Sequence, residues 1–455
     1  MAIELTDDVF EEVTALVRAR DADQTAAIVH DLYAADIAYL IEYLPREEAL
    51  FIFGLLDRQE AVAVLAELEE ESRSLLLELF TPQQIVNRFI GEMDTDDAAD
   101  LINEFPDPVR NQLIDAIYKS RSQDIREVVS LLDYAEDQAG ALMAKELVKV
   151  SLDATVSECI DQIRSQADHV ESIYAVYVVN DQQQLVGLAP LQRLIVARPQ
   201  RRLHEILEED VVAVTADTPA EEAAQKMERY NLVALPVVDE QHQLIGRITI
   251  DDVVDYIRDE ADEDYQLASG ISEDVAYSDR VWVLSRARLP WLLLGLLGGV
   301  VSSRVIGLYE GQLSAYPELA FFIPLVAAMG GNAGVQSSAI VVQSLASNNF
   351  KHGHFFGKLG KEFLVALLNG LICSLVLLAY GYFFADSLAL SLTVSIALLT
   401  VIILASLLGV SIPLFLNTLQ VDPALATGPF ITTTNDLVGL AVYFLVGRVV
   451  FGLMT

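Results

Sequence analysis

The chain has 455 residues, and 66 acidic against 29 basic side chains give it a formal net charge of −37. Such a surplus of acid repels nucleic acid and anionic lipid and attracts cations, which excludes a nucleic-acid-binding protein. Residues 286–455 hold seven basic and six acidic side chains, so residues 1–285 hold the other 22 basic and 60 acidic ones. Cys159 and Cys373 lie one in each part, which argues against a disulfide or a thiolate metal site.

The first segment, residues 1–135, is predicted to form an acidic α-helical solenoid. Its N-terminus lacks the basic and apolar regions of a secretory signal, so we expect the acidic part to remain in the cytosol. Similar units, DIAYLIE at 36–42 and DAADLINE at 97–104, alternate with proline-containing stops such as YLPREE at 43–48. Repeated short helices of this kind are typical of solenoids.

An internal repeat follows the helical segment. The sequence VSLDATVSE at 150–158 returns as VTADTPAEE at 214–222, and VVNDQQQLVG at 178–187 returns as VVDEQHQLIG at 237–246. Each copy predicts strand, helix, strand, turn, strand and helix. The pattern resembles a pair of cystathionine-β-synthase-type (CBS) modules, an α+β fold, which we place at residues 136–199 and 200–258.

One nucleotide-binding signal occurs in the second module. Some CBS pairs bind adenine nucleotides such as ATP through a Thr-x-x-Asp at a strand-to-helix junction, and Thr249 and Asp252 match it. The first module has LAPLQR at 188–193 and does not match. The resemblance therefore implies at most one standard nucleotide site, and the alternative is an ordinary helix N-cap.

An acid-dense connector joins the modules to the apolar part. The run DDVVDYIRDEADEDY occupies residues 251–265, and we predict a connecting (plug) helix at 259–286. A run of acids is most often a solvated face, but this run leads directly from a sensor-like domain to a membrane span. The stretch SDRVWVLSR at 278–286 is predicted to form an amphipathic helix along the membrane.

Residues 287–455 are predicted to form an all-α domain that crosses the lipid bilayer five times. Spans of about 20 apolar residues are placed at 289–309, 319–346, 363–385, 388–416 and 424–453. Basic residues accumulate on the cytosolic side of membranes. Those before the first span and at 351–361 therefore predict a cytosolic N-terminus and an external C-terminus, in a multi-pass protein of the cytoplasmic membrane.

The second span contains GGNAGVQSS at 330–338, which is unlike a lipid-facing helix. Small residues of this kind allow close helix packing in membranes. The alternative is a broken or tightly packed helix whose amides and freed carbonyls line a water-filled path. Both interpretations remain open from the sequence.

The fifth span contains DPALATGPFITTTND at 422–436, which places an acid in an apolar run. Pro429 removes an amide and is expected to kink the span. Oxygen atoms gather at one depth on Thr432, Thr433, Asn435 and Asp436. An ionisable group in a span is costly and is usually functional. Oxygen ligands favour a hard cation. The alternative role of Asp436 is a structural partner for an arginine, either Arg304 or Arg448.

Together these features resemble the MgtE-type magnesium channel family over essentially the whole chain. The resemblance implies a homodimer with a pore between subunits and a cytosolic part that senses Mg²⁺. By position, Asp436 matches the pore acid that holds hydrated Mg²⁺, and Thr432 and Asn332 are further candidate pore residues. The acids that match the regulatory Mg²⁺ face are Asp251, Asp252, Asp255, Glu260, Glu263 and Asp264.

Two positions depart from that pattern: Val335 and Gly428 stand where family members can carry asparagine. The expected function is Mg²⁺ uptake gated closed by cytosolic Mg²⁺. The nearest alternative is a secondary transporter of another divalent ion such as Co²⁺ or Mn²⁺, or a Na⁺-coupled cation transporter. A CBS-regulated membrane enzyme is disfavoured because no histidine lies in a His-Glu-x-x-His motif. Asp436 disfavours an anion channel.

Overall fold

The structure is a computed structural model that describes residues 5–120, 124–166, 170, 172–273, 275, 280–346, 355–384, 387–419, 421–426 and 428–454. The chain forms two compact units, Met1–Ile257 and Arg258–Thr455. Parts of the predicted loops at 351–361 and 385–387, and of the segment at 278–286, lie outside the described residues.

The first unit begins with a series of short helices. They are α1 (Asp7–Ala19), α2 (Ala22–Val29), α3 (Ala34–Tyr43), α4 (Arg46–Phe53), α5 (Arg58–Glu67), α6 (Glu70–Leu77), α7 (Pro82–Ile85), α8 (Thr95–Asn103), α9 (Asp107–Lys119) and α10 (Asp124–Val129). Asp57 caps α5 by accepting from the N–H of Glu60 at 2.9 Å, and Glu60 accepts from the N–H of Asp57 at 3.0 Å. Such caps satisfy N–H groups that a helix start leaves unpaired, so the chain can restart helices often. The predicted helical N-domain is confirmed.

Two three-stranded sheets follow. Their elements are β1 (Lys149–Ser151), α11 (Val156–Gln166), β2 (Ala175–Val179), β3 (Leu185–Pro190), α12 (Leu191–Val196), β4 (Val214–Thr215), α13 (Ala220–Tyr230), β5 (Ala234–Val238) and β6 (Leu244–Thr249). In each sheet the first strand runs parallel to the second, and the second runs antiparallel to the third. The predicted pair of CBS modules is confirmed. The N–H of Leu185 donates to the His242 carbonyl at 3.1 Å, which joins the two modules.

The hydrophobic core of the first unit shows which parts pack together. Ile102 and Leu113 from the helical segment belong to the same buried cluster as Met143, Met227 and Val253 around the second module. The first module has a separate core. Since burial of apolar surface is the main stabilising term in folding, the helical segment is held on the second module by a shared core. Helix α14 (Ile250–Ala268) then continues without a break from the last strand.

The second unit contains helices long and apolar enough to cross a membrane. The helices are α15 (Val281–Leu308), α17 (Ile323–Ala346), α18 (Phe355–Phe384), α19 (Leu388–Thr418) and α20 (Gly428–Met454), with a short α16 (Glu310–Ala315) after the first. Five such helices occur among the described residues, which confirms the predicted five-span domain. The second span begins before α17, in a 3-10 helix at Pro317–Phe322. In the most apolar stretch of α19, 56% of the residues are buried, against 6% in the corresponding stretch of α15. Helix α19 is therefore central and α15 is peripheral.

One alternative is decided and two expectations about local structure were wrong. Helix α17 is continuous through 330–338, so the motif forms a tightly packed helix and not a broken one. Helix α20 begins at Gly428, so Pro429 lies in the first turn, where its missing N–H is not needed, and does not kink the span. Residues 281–286 are the first turns of α15 rather than a separate helix along the membrane.

Candidate cation sites

A cavity of about 320 Å³ lies between α17 and α20 in the second unit, Arg258–Thr455, which we call the membrane unit. We call this cavity the membrane cavity, and it is lined by Ala327, Ala328, Gly331, Asn332, Val335, Gln336, Thr432 and Asp436. The cavity thus brings together Asn332, Thr432 and Asp436, the three residues proposed from the sequence as pore residues. One carboxylate, one hydroxyl and two amides form its polar lining, and these are ligands for a hard cation rather than for a soft metal.

The two faces of α17 have different tasks. Asn332 and Gln336 are four residues apart, so they lie on the same face, and both are exposed. Gly330 and Gly334 lie on another face, where a methyl group at Gly334 would be 1.8 Å from Nδ2 of Asn435. The glycines therefore serve close helix packing while the amides line the cavity. Each interpretation of this motif applies to one face of the helix.

Helix α20 presents its oxygen atoms in a similar way. Thr432 and Asp436 are also four residues apart and share the cavity face. The Thr432 hydroxyl donates its hydrogen to the Gly428 carbonyl at 2.9 Å. Because that hydrogen is engaged, the Thr432 oxygen offers lone pairs to the cavity, which suits a cation or the hydrogen of a water bound to one.

A second carboxylate within the candidate spans, that of Glu362, was assigned no role in the sequence analysis. Glu362, in the span Gly357–Phe383, accepts a hydrogen bond from the Ser337 hydroxyl at 2.6 Å. The bond joins α18 to α17 and does not involve the residues of the membrane cavity. In the sequence, the feature that could have identified Glu362 is its position beside Lys361 at the start of an apolar run.

The two departures from the family pattern have different surroundings. Val335 lines the membrane cavity and gives it apolar surface. Gly428 has a φ of 47°, and a methyl group there would lie 2.3 Å from the carbonyl oxygen of Ala268. Glycine at 428 is required by this close approach of the end of α14, since asparagine tolerates the backbone angle but not the contact.

A cluster of carboxylates lies where the helical segment meets the second module. The cluster, which we call the carboxylate cluster, consists of Asp94, Asp96 and Glu146. One carboxylate oxygen atom of each residue lies within 4.8 Å of those of the other two. Glu146 accepts from the Thr95 N–H at 3.3 Å and from the Thr95 hydroxyl at 2.9 Å, which fixes its side chain at the start of α8. Carboxylates this close are the ligands that Mg²⁺ and Ca²⁺ prefer. Sequence reasoning missed these residues, although the run DTDDAAD at 94–100 marks the place.

Burial makes Asp96 of this cluster and the neighbouring acids of α8 hard to ionise together. Burial, followed by the charge of Asp252, raises the pKa of Asp96 well above its usual range. The same two causes raise the pKa of Asp97 to about 7. Burial also raises the pKa of Asp100 to about 6. Like charges that are held close in a poorly solvated place repel, and a bound divalent cation would relieve this repulsion.

The predicted regulatory acids on α14 are divided by the structure. Asp252 is half-buried, and its charge acts on the acids at the start of α8. The exposed acids are Asp251, Asp255, Glu260 and Glu263, and Asp264 is half-buried. Thr249 is buried, and its hydroxyl donates to the Asp252 carboxylate, as in an ordinary helix cap. A nucleotide that uses Asp252 for its ribose would have to replace this bond.

Comparisons with protein families match most of the chain. The description "MgtE intracellular N domain" matches residues 32–137, and "CBS domain" matches residues 139–199 and 203–259. The description "Divalent cation transporter" matches residues 323–446, which include the whole lining of the membrane cavity.

Relatives and solved structures agree. The magnesium transporter MgtE of Bacillus subtilis is 30% identical over 96% of each chain. That of Thermus thermophilus is 34% identical over 92% of this chain and 94% of its own.

Two solved structures align with this chain with a TM-score of 0.51 each. The soluble part of a magnesium transporter is 28% identical and covers 55% of this chain and 98% of its own. The cytosolic domain of the Mg²⁺ channel MgtE in complex with ATP is 32% identical and covers 54% of this chain and 99% of its own. The chain belongs to the MgtE family of magnesium transporters.

Proposed function

We propose that the chain is a Mg²⁺-selective channel that takes up magnesium across the cytoplasmic membrane and is closed by cytosolic Mg²⁺. The observation that carries the proposal is the membrane cavity, in which Asp436 lies beside Asn332 and Thr432 inside a five-span unit. Relatives over almost the whole chain, named magnesium transporters, support the choice of ion.

The size of the membrane cavity suits a hydrated ion. Mg²⁺ releases water reluctantly and is usually held through one or two carboxylates while it keeps several waters. Six waters occupy about 180 Å³ at ~30 Å³ each, which fits within the roughly 320 Å³ available. We place the pore between the two protomers of a homodimer, so that two copies of Asp436 face one ion. The amides and the Thr432 hydroxyl then contact its waters.

The pore closes when Mg²⁺ binds to the acids of α14 and of the first unit, Met1–Ile257, which we call the cytosolic unit. A ligand shifts an equilibrium only towards the state that it binds more tightly. Without cations, the carboxylate cluster and Asp252 repel each other and destabilise the contact between the helical segment and the second module. With Mg²⁺ bound between them, and at the exposed acids of α14, the closed arrangement is stabilised. High internal Mg²⁺ therefore stops further uptake.

An adenine nucleotide is a second candidate regulator at the CBS pair. The related cytosolic domain with ATP supports such a site, and Thr249 and Asp252 are the residues that we assign to it. Because Asp252 also acts on the carboxylate cluster, a nucleotide bound at Asp252 would change the charge that Mg²⁺ meets there. We place the N-terminus in the cytosol and the C-terminus outside.

The test is Mg²⁺ uptake into liposomes that contain the full chain, comparing Asp436→Ala with Glu310→Gln. Both variants remove one acid from the membrane unit, but Glu310 is exposed and lies outside the cavity. We expect Asp436→Ala to abolish uptake while the protein remains a folded dimer, and Glu310→Gln to retain it.

Uptake at the wild-type rate in a folded Asp436→Ala protein would remove the pore assignment. Uptake by the wild type that requires a Na⁺ or H⁺ gradient would replace the channel with a coupled transporter. Faster uptake of Co²⁺ or Mn²⁺ than of Mg²⁺ would change the assigned ion.

A further inference from the structure

Asn435 is a buried polar side chain next to Asp436 on α20, and its amide faces away from the membrane cavity. Only 2% of the residue is exposed. Its Nδ2 donates to the Gly330 carbonyl of α17 at 3.4 Å, while its Oδ1 has no hydrogen-bond partner among the described residues. The residues around it, which include Val401, Leu404 and Val438, are apolar.

A side chain chosen only for packing would not be an amide here. A buried polar group with half of its hydrogen-bonding capacity unused costs free energy, whereas an aliphatic side chain of similar size carries no such cost. The single bond of Asn435 is directed, because it joins α20 to one particular carbonyl of α17. An amide in this place therefore gives a defined alignment of the two helices rather than extra stability.

The partner surface on α17 is shaped for this amide. A methyl group at Gly334 would lie 1.8 Å from Nδ2 of Asn435 and 2.9 Å from Cγ2 of Ile431. A methyl group at Gly409 of α19 would lie 2.3 Å from the Gly334 carbonyl oxygen. Three helices thus meet at this point with backbone in close contact, and the Asn435 amide fills the notch left by the glycine.

Helix geometry connects this contact to the cation site. Successive residues of an α-helix are about 100° apart around the axis. When Asn435 is fixed against Gly330 and Gly334, the next residue, Asp436, faces the cavity that Asn332 and Gln336 line from the same helix α17. The contact sets both the rotation and the depth of Asp436 relative to these two amides.

We propose that Asn435 is a positioning residue that sets the affinity of the membrane cavity for hydrated Mg²⁺ by fixing Asp436 opposite the amides of α17. This inference rests on the proposed channel function. A hydrated ion is recognised through the spacing of carboxylate and amide groups around its waters, so a small rotation of α20 weakens binding even when every ligand group is still present.

The test compares Asn435→Ala with Ser374→Ala in the full chain in liposomes. Ser374 is a matched control, because its buried hydroxyl also joins two spans by donating to a backbone carbonyl, that of Ser395, at 2.8 Å. The readout is the external Mg²⁺ concentration that half-saturates uptake, which does not depend on how many molecules are folded. For Asn435→Ala we expect it to rise about fivefold, the effect of one lost hydrogen bond, and for Ser374→Ala to stay unchanged.

A size exchange sharpens the test. Gly334→Ala alone should raise the half-saturating concentration, because the new methyl group displaces the amide, and adding Asn435→Ala should restore part of the loss. Should Asn435→Ala fail to fold, Asn435→Ser, which is too short to reach Gly330, takes its place. An unchanged half-saturating concentration in the folded Asn435 variant would overturn the inference, as would equal shifts in Asn435→Ala and Ser374→Ala. If the wild type takes up no Mg²⁺, or Asp436→Ala takes it up normally, the proposed function itself has failed.

Discussion

The carboxylate cluster of the cytosolic unit and the membrane cavity use the same ligand chemistry in opposite proportions. Asp94, Asp96 and Glu146 lie together with Asp252 nearby, and burial raises the pKa of several acids around them. The membrane cavity has one carboxylate, that of Asp436, together with amides and a hydroxyl. Many charges around one ion favour retention of that ion, whereas a single charge with neutral oxygens permits binding and release. Under the proposed function, the same residue types would therefore serve sensing in one region and conduction in the other.

The largest expected effect comes from replacing an aspartate by asparagine, in one variant in the membrane cavity and in another in the carboxylate cluster. Asp436→Asn keeps the shape of the side chain but removes the only charge that lines the membrane cavity. We expect Mg²⁺ uptake to fall by about two orders of magnitude, since charge in a low-dielectric site is worth a few kcal/mol. Asp96→Asn should leave maximal uptake unchanged and raise the internal Mg²⁺ needed for inhibition. Equal losses of maximal uptake in liposome measurements would show that the two regions do not have separate tasks.

A multiple substitution tests whether the acids of α14 belong to the sensing region. The variant converts five acids to their amides: Asp252, Asp255, Glu260, Glu263 and Asp264. We expect uptake to continue at millimolar internal Mg²⁺, because the closed state loses the sites whose occupation stabilises it. The measurement is uptake as a function of internal Mg²⁺. Inhibition at the wild-type concentration would mean that this run of acids is only a solvated face.

A smaller effect is expected on stability when repulsion in the cytosolic unit is removed. Asp96→Asn with Asp97→Asn should raise the free energy of unfolding of the Mg²⁺-free unit by about 2 kcal/mol, because it removes two acids that in the folded state must either carry a poorly solvated charge or take up a proton. It should also reduce the further stabilisation by MgCl₂. The control is Asp107→Asn, since Asp107 is exposed at the start of α9.

Thermal unfolding in EDTA, in MgCl₂ and in KCl of equal ionic strength checks this prediction. KCl screens charges but cannot bridge carboxylates. Stabilisation by KCl equal to that by MgCl₂ would reduce the proposed sensing to screening.

The smallest expected effect is a dependence of stability on pH without divalent ions. The pKa values of Asp97 and Glu104 are raised to about 7 and that of Asp100 to about 6, in each case chiefly by burial. The folded state therefore binds more protons than the unfolded state between about pH 4 and 7. As far as these groups contribute, stability should be greatest below about pH 4, where the acids are protonated in both states, and should fall as the pH rises from about 4 to about 7. Unfolding in EDTA between about pH 5 and 8 measures this trend, and a rise in stability with pH would contradict it.

The sequence predicted the domains and spans well because hydrophobic periodicity and the internal repeat are local signals. The carboxylate cluster was not predicted, since Glu146 lies 50 positions beyond Asp96 and only the shared core of the helical segment and second module brings them together. The wrong kink at Pro429 arose from the uncertain start of α20: a proline is disruptive within a helix and harmless in its first turn. The close contact of Gly334 with Asn435 depends on helix rotation, which apolar spans do not encode in their composition.

The most direct test of the account is uptake by the wild-type chain in liposomes with Mg²⁺ varied separately on each side of the membrane. If conduction takes place at Asp436 and inhibition at the acids of the cytosolic unit, Mg²⁺ on the two sides of the membrane should have opposite effects on uptake. We predict that uptake increases with Mg²⁺ on the external side and needs no counter-ion gradient, and that millimolar Mg²⁺ on the cytosolic side stops it. Uptake that is insensitive to cytosolic Mg²⁺, or inhibited equally from both sides, would contradict the proposed division between a conducting cavity and a sensing cluster.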